Sequence, residues 1–190
     1  MNVRKTRGYS LFELILVLVV IGVIAAAGLI YYEKAMDDAR RTSVEIMANR
    51  FTAAIALIRG QWIVESTIQL EGRPSNTWRV VVDNIPIFLN EFGWPANTDG
   101  TSPKSNDQTV EECLQVWNSI LQNPPLATLE GKADSTNPDD PNTKGKQRYH
   151  ISTVDKSVCR FELITKPAGT HAFEYNLRTG RVSVKVPTLD

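Results

Sequence analysis

The polarity pattern of the chain divides it into three parts. From Leu14 to Tyr32 no residue is charged, and those 19 residues are apolar on every side. At about 1.5 Å of rise per residue such a helix roughly spans the hydrocarbon core of a bilayer. After Tyr32 the pattern turns amphipathic, with Ala35, Ala39, Val44, Met47, Phe51, Ile55 and Ile58 at mostly three- and four-residue spacings. No proline occurs before Pro74, so one helix is predicted from about Tyr9 to near Arg59, on the order of 75 Å long. Gly60 is its expected stop, with a further turn through Gln61–Val64 as the alternative. The stripe reads as a core face against a sheet, or else as a coiled-coil seam.

Beyond the helix the periodicity shortens to that of strands. Runs at Thr67–Leu70 and Trp78–Val82 flank a Gly-Arg-Pro-Ser-Asn turn, and a second set follows at Tyr149–Thr153, Val158–Thr165, His171–Leu177 and Arg181–Val186. In the last run Val182, Val184 and Val186 alternate with polar residues, and Arg178–Gly180 makes a short hairpin loop, so an antiparallel meander is expected at the C-terminus. Between the two sets a helix is predicted over Val110–Gln122, opened by a capping box of Thr109 and Glu112 and stopped by Pro124-Pro125. Residues 131–146 read as an exposed loop.

Composition narrows the function. The chain has 190 residues, 42% hydrophobic and 22% charged, enough for one modest globular domain plus an extension. Basic and acidic side chains both number 21, which leaves no global field to attract nucleic acid. Nothing resembles a nucleophile elbow, a phosphate-binding loop or a zinc-peptidase helix, so an enzyme is not expected. No internal repeat is present.

Arg4, Lys5 and Arg7 precede the apolar run with no acid among them, which by the positive-inside bias places the N-terminus in the cytoplasm and everything after Tyr32 in the periplasm. A secretory signal cut near Ala25–Ala27 is the alternative; the apolar length and Glu13 argue against it. A carboxylate at the head of a membrane helix costs a few kcal/mol unless it lies at the interface, is protonated or finds a partner.

The basic leader, Gly8, an aromatic residue, Ser10-Leu11, Glu13 five residues into the remainder and an apolar run containing Gly22 together resemble the signature of type IV pilins and pseudopilins. The resemblance covers residues 4–30. It implies that a membrane prepilin peptidase cuts between Gly8 and Tyr9 and methylates the new amine of Tyr9. Removing Arg4, Lys5 and Arg7 from the 21 basic residues leaves 18 against 21 acidic ones, formally −3. The freed ammonium and a neighbouring subunit's Glu13 would then pair in an apolar layer, offsetting both desolvation costs; the bland alternative is a carboxylate resting near the headgroups. Two departures stand out. Tyr9 replaces the more usual Phe or Met, and Ile30 stands where many pilins carry a proline, leaving Gly22 and Gly28 as the soft points of the helix.

Cys113 and Cys159 are the only cysteines and fall in the segment placed in the periplasm, where an oxidising compartment favours a disulfide. Closing a loop of about 47 residues would constrain the unfolded chain by roughly 4 kcal/mol in the entropic account. Two separately buried thiols are the alternative, and zinc would need Cys113, Cys159, His150 and His171 to converge. Asn97–Asp99 and Asp134–Asn142 carry oxygen ligands that calcium could use, without the spacing of an EF-hand; no cofactor is expected. Trp62, Asn90–Pro95 and Cys113–Trp117 also resemble a pattern of minor pilins of the mannose-sensitive haemagglutinin pilus, which would imply a role in adhesion.

The expected architecture is therefore α+β and type IV pilin-like: a leader at 1–8, a transmembrane and filament-core half-helix at 9–32, an amphipathic half at 33–60 and a periplasmic head at 61–190 on an antiparallel sheet with one disulfide. The expected function is that of a structural subunit, a minor one on the narrower resemblance, or a biogenesis component of a pilus. It would be held in the inner membrane before assembly, with the prepilin peptidase, other pilin subunits, an inner-membrane assembly platform and membrane lipid as partners and no nucleic acid. A type II secretion pseudopilin is the alternative within the family. A membrane-tethered periplasmic binding module or enzyme that never assembles is the alternative outside it.

Overall fold

A computed structural model of the chain describes residues 10–67, 78–101, 104–129, 147–165 and 169–187. Helix α1 runs over Leu11–Thr67 and is followed by β1 (Arg79–Val82), β2 (Ile85–Leu89), β3 (Pro95–Asn97), helix α2 (Val110–Ile120) and β4 (Leu126–Leu129). The meander β5 (Gln147–Val154), β6 (Val158–Leu163), β7 (Ala172–Asn176) and β8 (Val182–Lys185) completes the chain. The chain divides into two compact units, Met1–Arg40 and Arg41–Asp190.

The second unit carries the core. Its larger sheet has the order β4-β5-β6-β7-β8; β5 to β8 are antiparallel neighbours and β4 is parallel to β5. On the β6 and β7 strands, Cys159, Phe161, Phe173 and Tyr175 are buried, while Arg160, Glu162 and Glu174 alternate with them on the more open face. There Arg160 pairs with Glu174 at 2.9 Å and with Glu162 at 3.8 Å, and Lys185 reaches Glu174 at 3.7 Å. Such cross-strand charge pairs suit a solvated sheet face.

Phe51 anchors α1 in this core. Its ring lies 5.0 Å from Phe161 and 5.5 Å from both Phe173 and Tyr175. Trp117 of α2 closes the cluster at 5.0 Å from Phe161 and 4.9 Å from Tyr149, and its indole N–H donates to the Pro125 carbonyl at 3.0 Å. That bond satisfies the one polar atom of the buried indole. The Cys113–Cys159 disulfide, with Cα atoms 5.6 Å apart, ties α2 to β6 within the same core. Helix α2 forms as expected: Thr109 accepts from the Glu112 backbone N–H at 3.1 Å and the Glu112 carboxylate accepts from the Thr109 N–H at 2.7 Å.

Several expectations need correction. Helix α1 continues through Gly60 to Thr67, so Gly60 is no stop and Thr67 opens no strand; Ile68–Leu70 and the turn after them lie outside the described residues. Continuation is favoured by Trp62, which packs against the core, and by a Gln61–Glu65 hydrogen bond of 2.8 Å at i,i+4. The buried face of α1 starts at Val44, whereas Ala35 and Ala39 are exposed. Strands β2, β3 and β4 were not anticipated. The hairpin between β1 and β2 turns on Asp83 and Asn84, both at positive φ, the geometry that two-residue hairpins demand. The alternation expected in β8 is weak, because Val184 remains 37% exposed at the sheet's edge. The loop expected at 131–146 lies outside the described residues.

Candidate functional site

The residues expected to carry processing and assembly sit at the start of the chain. Gly8 and Tyr9 lie outside the described residues. Glu13 falls in the first turn of α1, where the unpaired backbone N–H groups favour a negative side chain. The first helical bond there runs from the Leu14 N–H to the Ser10 carbonyl at 3.1 Å. Between Ser10 and Tyr32 Glu13 is the only charged residue.

Every described side chain from Ser10 to Tyr32 is exposed, Leu18 by 61% and Ile24 by 66%. A helix segment apolar on all sides suits an apolar surrounding. By length and composition α1 can cross a membrane. Gly22 and Gly28 have nothing within 4 Å of where a Cβ would stand, so among the described residues no neighbour requires their smallness.

In the second unit, Trp62 and Asn90–Pro95 of the narrower resemblance meet at one corner, whereas Cys113 and Trp117 belong to the disulfide and the aromatic cluster described above. Asn90 is fully buried: its side-chain amide donates to the Leu177 carbonyl at 2.7 Å, and its oxygen accepts from the Phe92 and Trp94 N–H groups at 3.0 and 3.1 Å. One side chain thus shapes the Glu91–Trp94 turn and fastens it to the loop after β7. Gly93 takes φ +74°, and a Cβ there would stand 2.7 Å from the Trp62 ring, so only glycine fits without a shift. The Trp94 ring packs against Gly180 on one side, while the Arg59 guanidinium lies 3.6 Å from its centroid. Pro95 then accepts from the Tyr175 hydroxyl at 2.9 Å. Burial pushes that hydroxyl far above the usual phenol range, with Arg59 opposing weakly, so it stays a neutral donor. Trp62, Asn90, Gly93 and Trp94 are joints of the fold here. The roles of Arg59 and Gly180 were not read from the sequence, since both depend on contacts across more than thirty residues.

The calcium and zinc alternatives map onto other partners. The Asp99 carboxylate accepts from the Thr101 hydroxyl and N–H at 2.6 and 2.9 Å and from the Gln115 amide at 3.0 Å. The Thr101 hydroxyl foremost, then Gln115, hold its pKa below the usual range. Asp134–Asn142 lies outside the described residues. Among the described residues no group of three or more His, Cys, Asp or Glu side chains is placed to hold a metal ion. Both cysteines are spent in the disulfide, and the buried His171 is engaged by its backbone carbonyl with Leu163 at 2.8 Å and by Nδ1 with the Thr170 hydroxyl at 2.9 Å. His150 lies on β5 opposite Glu162.

Two more carboxylates stitch the loop between β3 and α2. Glu112 accepts from the Asn97 amide at 3.0 Å, and Glu91 accepts from the Ser105 hydroxyl and N–H at 2.6 and 3.0 Å. Partial burial raises the Glu91 pKa, but the Ser105 bonds and the Arg178 charge outweigh it and leave the net value lowered. No family model, curated protein or solved structure matches this chain.

Proposed function

We propose that the chain is a type IV pilin-like subunit: a prepilin cut between Gly8 and Tyr9, held in the inner membrane by α1, and later packed into a filament with its head outward. The observation that carries the reading is a single uninterrupted helix, α1, whose first part is an exposed apolar run with one carboxylate and whose later part is the core stripe of a disulfide-bonded α+β unit. The leader signature at residues 4–13 supplies the chemistry of processing.

A second feature supports assembly over permanent tethering. Ile46, Ala53, Leu57, Gly60 and Val64, at steps of seven, four, three and four residues, are all exposed, Leu57 by 75% and Val64 by 56%. They lie on the side of α1 away from Val44, Phe51 and Ile55, so this helix is apolar on two opposite faces. Asn49 and Arg50 interrupt this second face between Ile46 and Ala53, and the stretch from Ala53 to Val64 is an exposed apolar stripe that suits a protein or lipid partner. In an assembled filament the neighbouring subunits supply it. The same anchor serves a type II secretion pseudopilin, and the role in adhesion follows only from the narrower resemblance.

The test separates assembly from tethering. Mass spectrometry of the mature protein is expected to find N-methyl-tyrosine at its start, with Gly8→Val retaining the leader. Glu13→Gln is expected to be inserted, cut and folded like the wild type yet depleted from sheared filaments, because it leaves a neighbour's Tyr9 ammonium unpaired in an apolar layer at a cost of about 3–5 kcal/mol. Equal incorporation would refute the pairing, and a mature terminus near Ala27 would replace the anchor with an ordinary secretory signal.

A further inference from the structure

The first unit carries two adjacent tyrosines whose placement the filament reading leaves unused. Tyr31 and Tyr32 close the apolar run, are 76% and 63% exposed, and are followed at once by Glu33 and Lys34. On a helix neighbouring residues point about 100° apart, so the two rings cannot share one contact face and instead flank the helix on different sides. A phenol has an apolar ring and a hydrogen-bonding tip, the combination that collects at the headgroup level of a bilayer. Charged residues directly above and an unbroken apolar surface directly below place that level within one turn.

The helix then sets a second position by its own rise. Glu13 lies 18 and 19 residues before Tyr31 and Tyr32, about 27–29 Å along the axis at 1.5 Å per residue. That is close to the roughly 30 Å of a hydrocarbon core. A helix held with its tyrosines in one headgroup layer therefore carries Glu13 to the other, where water and headgroups solvate a carboxylate. Resting on the membrane-anchor reading above, we propose that Tyr31 and Tyr32 form a headgroup-level collar that fixes the depth of α1 in the bilayer. This depth keeps Glu13 at the opposite headgroup boundary until the subunit leaves the membrane. The carboxylate is then inexpensive to store in the lipid and becomes desolvated only on assembly, where its proposed partner waits. The partner of the collar is a phospholipid surface, recognised by ring amphipathicity and needing no particular headgroup.

The experiment is spin labelling of the full chain in vesicles of phosphatidylethanolamine and phosphatidylglycerol. The native cysteines are bonded to each other, so an introduced cysteine is the reactive thiol. Labels at Val19 and Ile24 are expected to relax preferentially with oxygen, a label at Ala35 with a water-soluble nickel chelate, and the crossover is expected between Leu29 and Ala35. A label at Phe12 should sit at a second crossover. Tyr31→Ala with Tyr32→Ala should move both crossovers in the same direction by about one helical turn, roughly 5 Å. Val19 and Ile24 favouring nickel would overturn the membrane anchor and the collar together. With those two in lipid, a Phe12 label as oxygen-exposed as Val19, a crossover outside Leu29–Ala35, or an unmoved crossover in the double variant would overturn the collar and leave the anchor standing.

Discussion

Leu18 and Phe51 belong to the same helix and meet opposite fates: the first is 61% exposed, the second fully buried. Hydrophobicity does not separate the two regions, since the one around Leu18 is the more apolar. Their patterning does. Around Phe51 apolar and polar residues alternate with the helical period, so one side of the helix can be covered by β6, β7 and α2 while Arg50 and Thr52 stay in water. Around Leu18 no side is polar, and covering one face would leave the others exposed. A segment of that kind finds its low free energy in an apolar solvent. A segment with a separable apolar face buries that face in its own fold, while the Ala53–Val64 side of α1 stays exposed.

The largest expected effect follows from breaking that contrast at its centre. Phe51→Ala removes the ring shared by Phe161, Phe173 and Tyr175 and should lower the stability of the head by about 3–5 kcal/mol. Leu18→Ala should leave the head within about 0.5 kcal/mol of wild type. Urea unfolding of detergent-solubilised chain, followed by tryptophan fluorescence, reads both. Comparable losses in the two variants would erase the distinction between the regions.

A comparable loss with a lower floor is expected for Cys159→Ser, roughly 4 kcal/mol in the entropic account with a usual span of about 2–5. The bridge joins α2 to β6 across 46 residues of sequence, so its removal loosens the head alone. On the proposed membrane-anchor reading, resistance of the variant to alkaline extraction should match wild type.

The smallest effect is a pH dependence confined to the head. Glu91 and Asp99 have folded-state pKa values below their ordinary values of 4.5 and 3.8. The folded state therefore binds protons less readily, and the stability these groups add is complete above the ordinary values and is lost as pH falls through and below them. Both groups are largely exposed, which limits the size. The urea midpoint should fall on acidification below about pH 4.5, and less steeply in Ser105→Ala, which removes the side-chain bond holding Glu91. An unchanged slope in that variant would remove Glu91 from the account.

The sequence by itself determined the features whose causes are local. Nineteen uncharged residues are apolar in any fold, so the capacity of α1 to cross a membrane was legible. The Thr109–Glu112 capping box needs only its own four residues. The turn at Arg178–Gly180 also has local causes: Asn176 accepts from the Arg178 and Thr179 N–H groups at 3.0 Å, and Gly180 takes φ +68°. An Asp-Asn pair between two valine- and isoleucine-rich runs is also a local signal for the β1–β2 hairpin.

Other features were decided by the tertiary structure, because their partners are distant in sequence. Strand β4 is four residues long and is a strand because it pairs in parallel with β5, beyond a long connection. Gly60 is a helix terminator by type, yet the packing of Trp62 carries α1 past it. Asn90 shows the same dependence at a single residue. In sequence it is an ordinary turn former, and its full burial at the Leu177 carbonyl exists only once a loop 87 residues away has come to meet it. Local propensity and periodicity state what a segment can become, and free energy from distant contacts selects among those states.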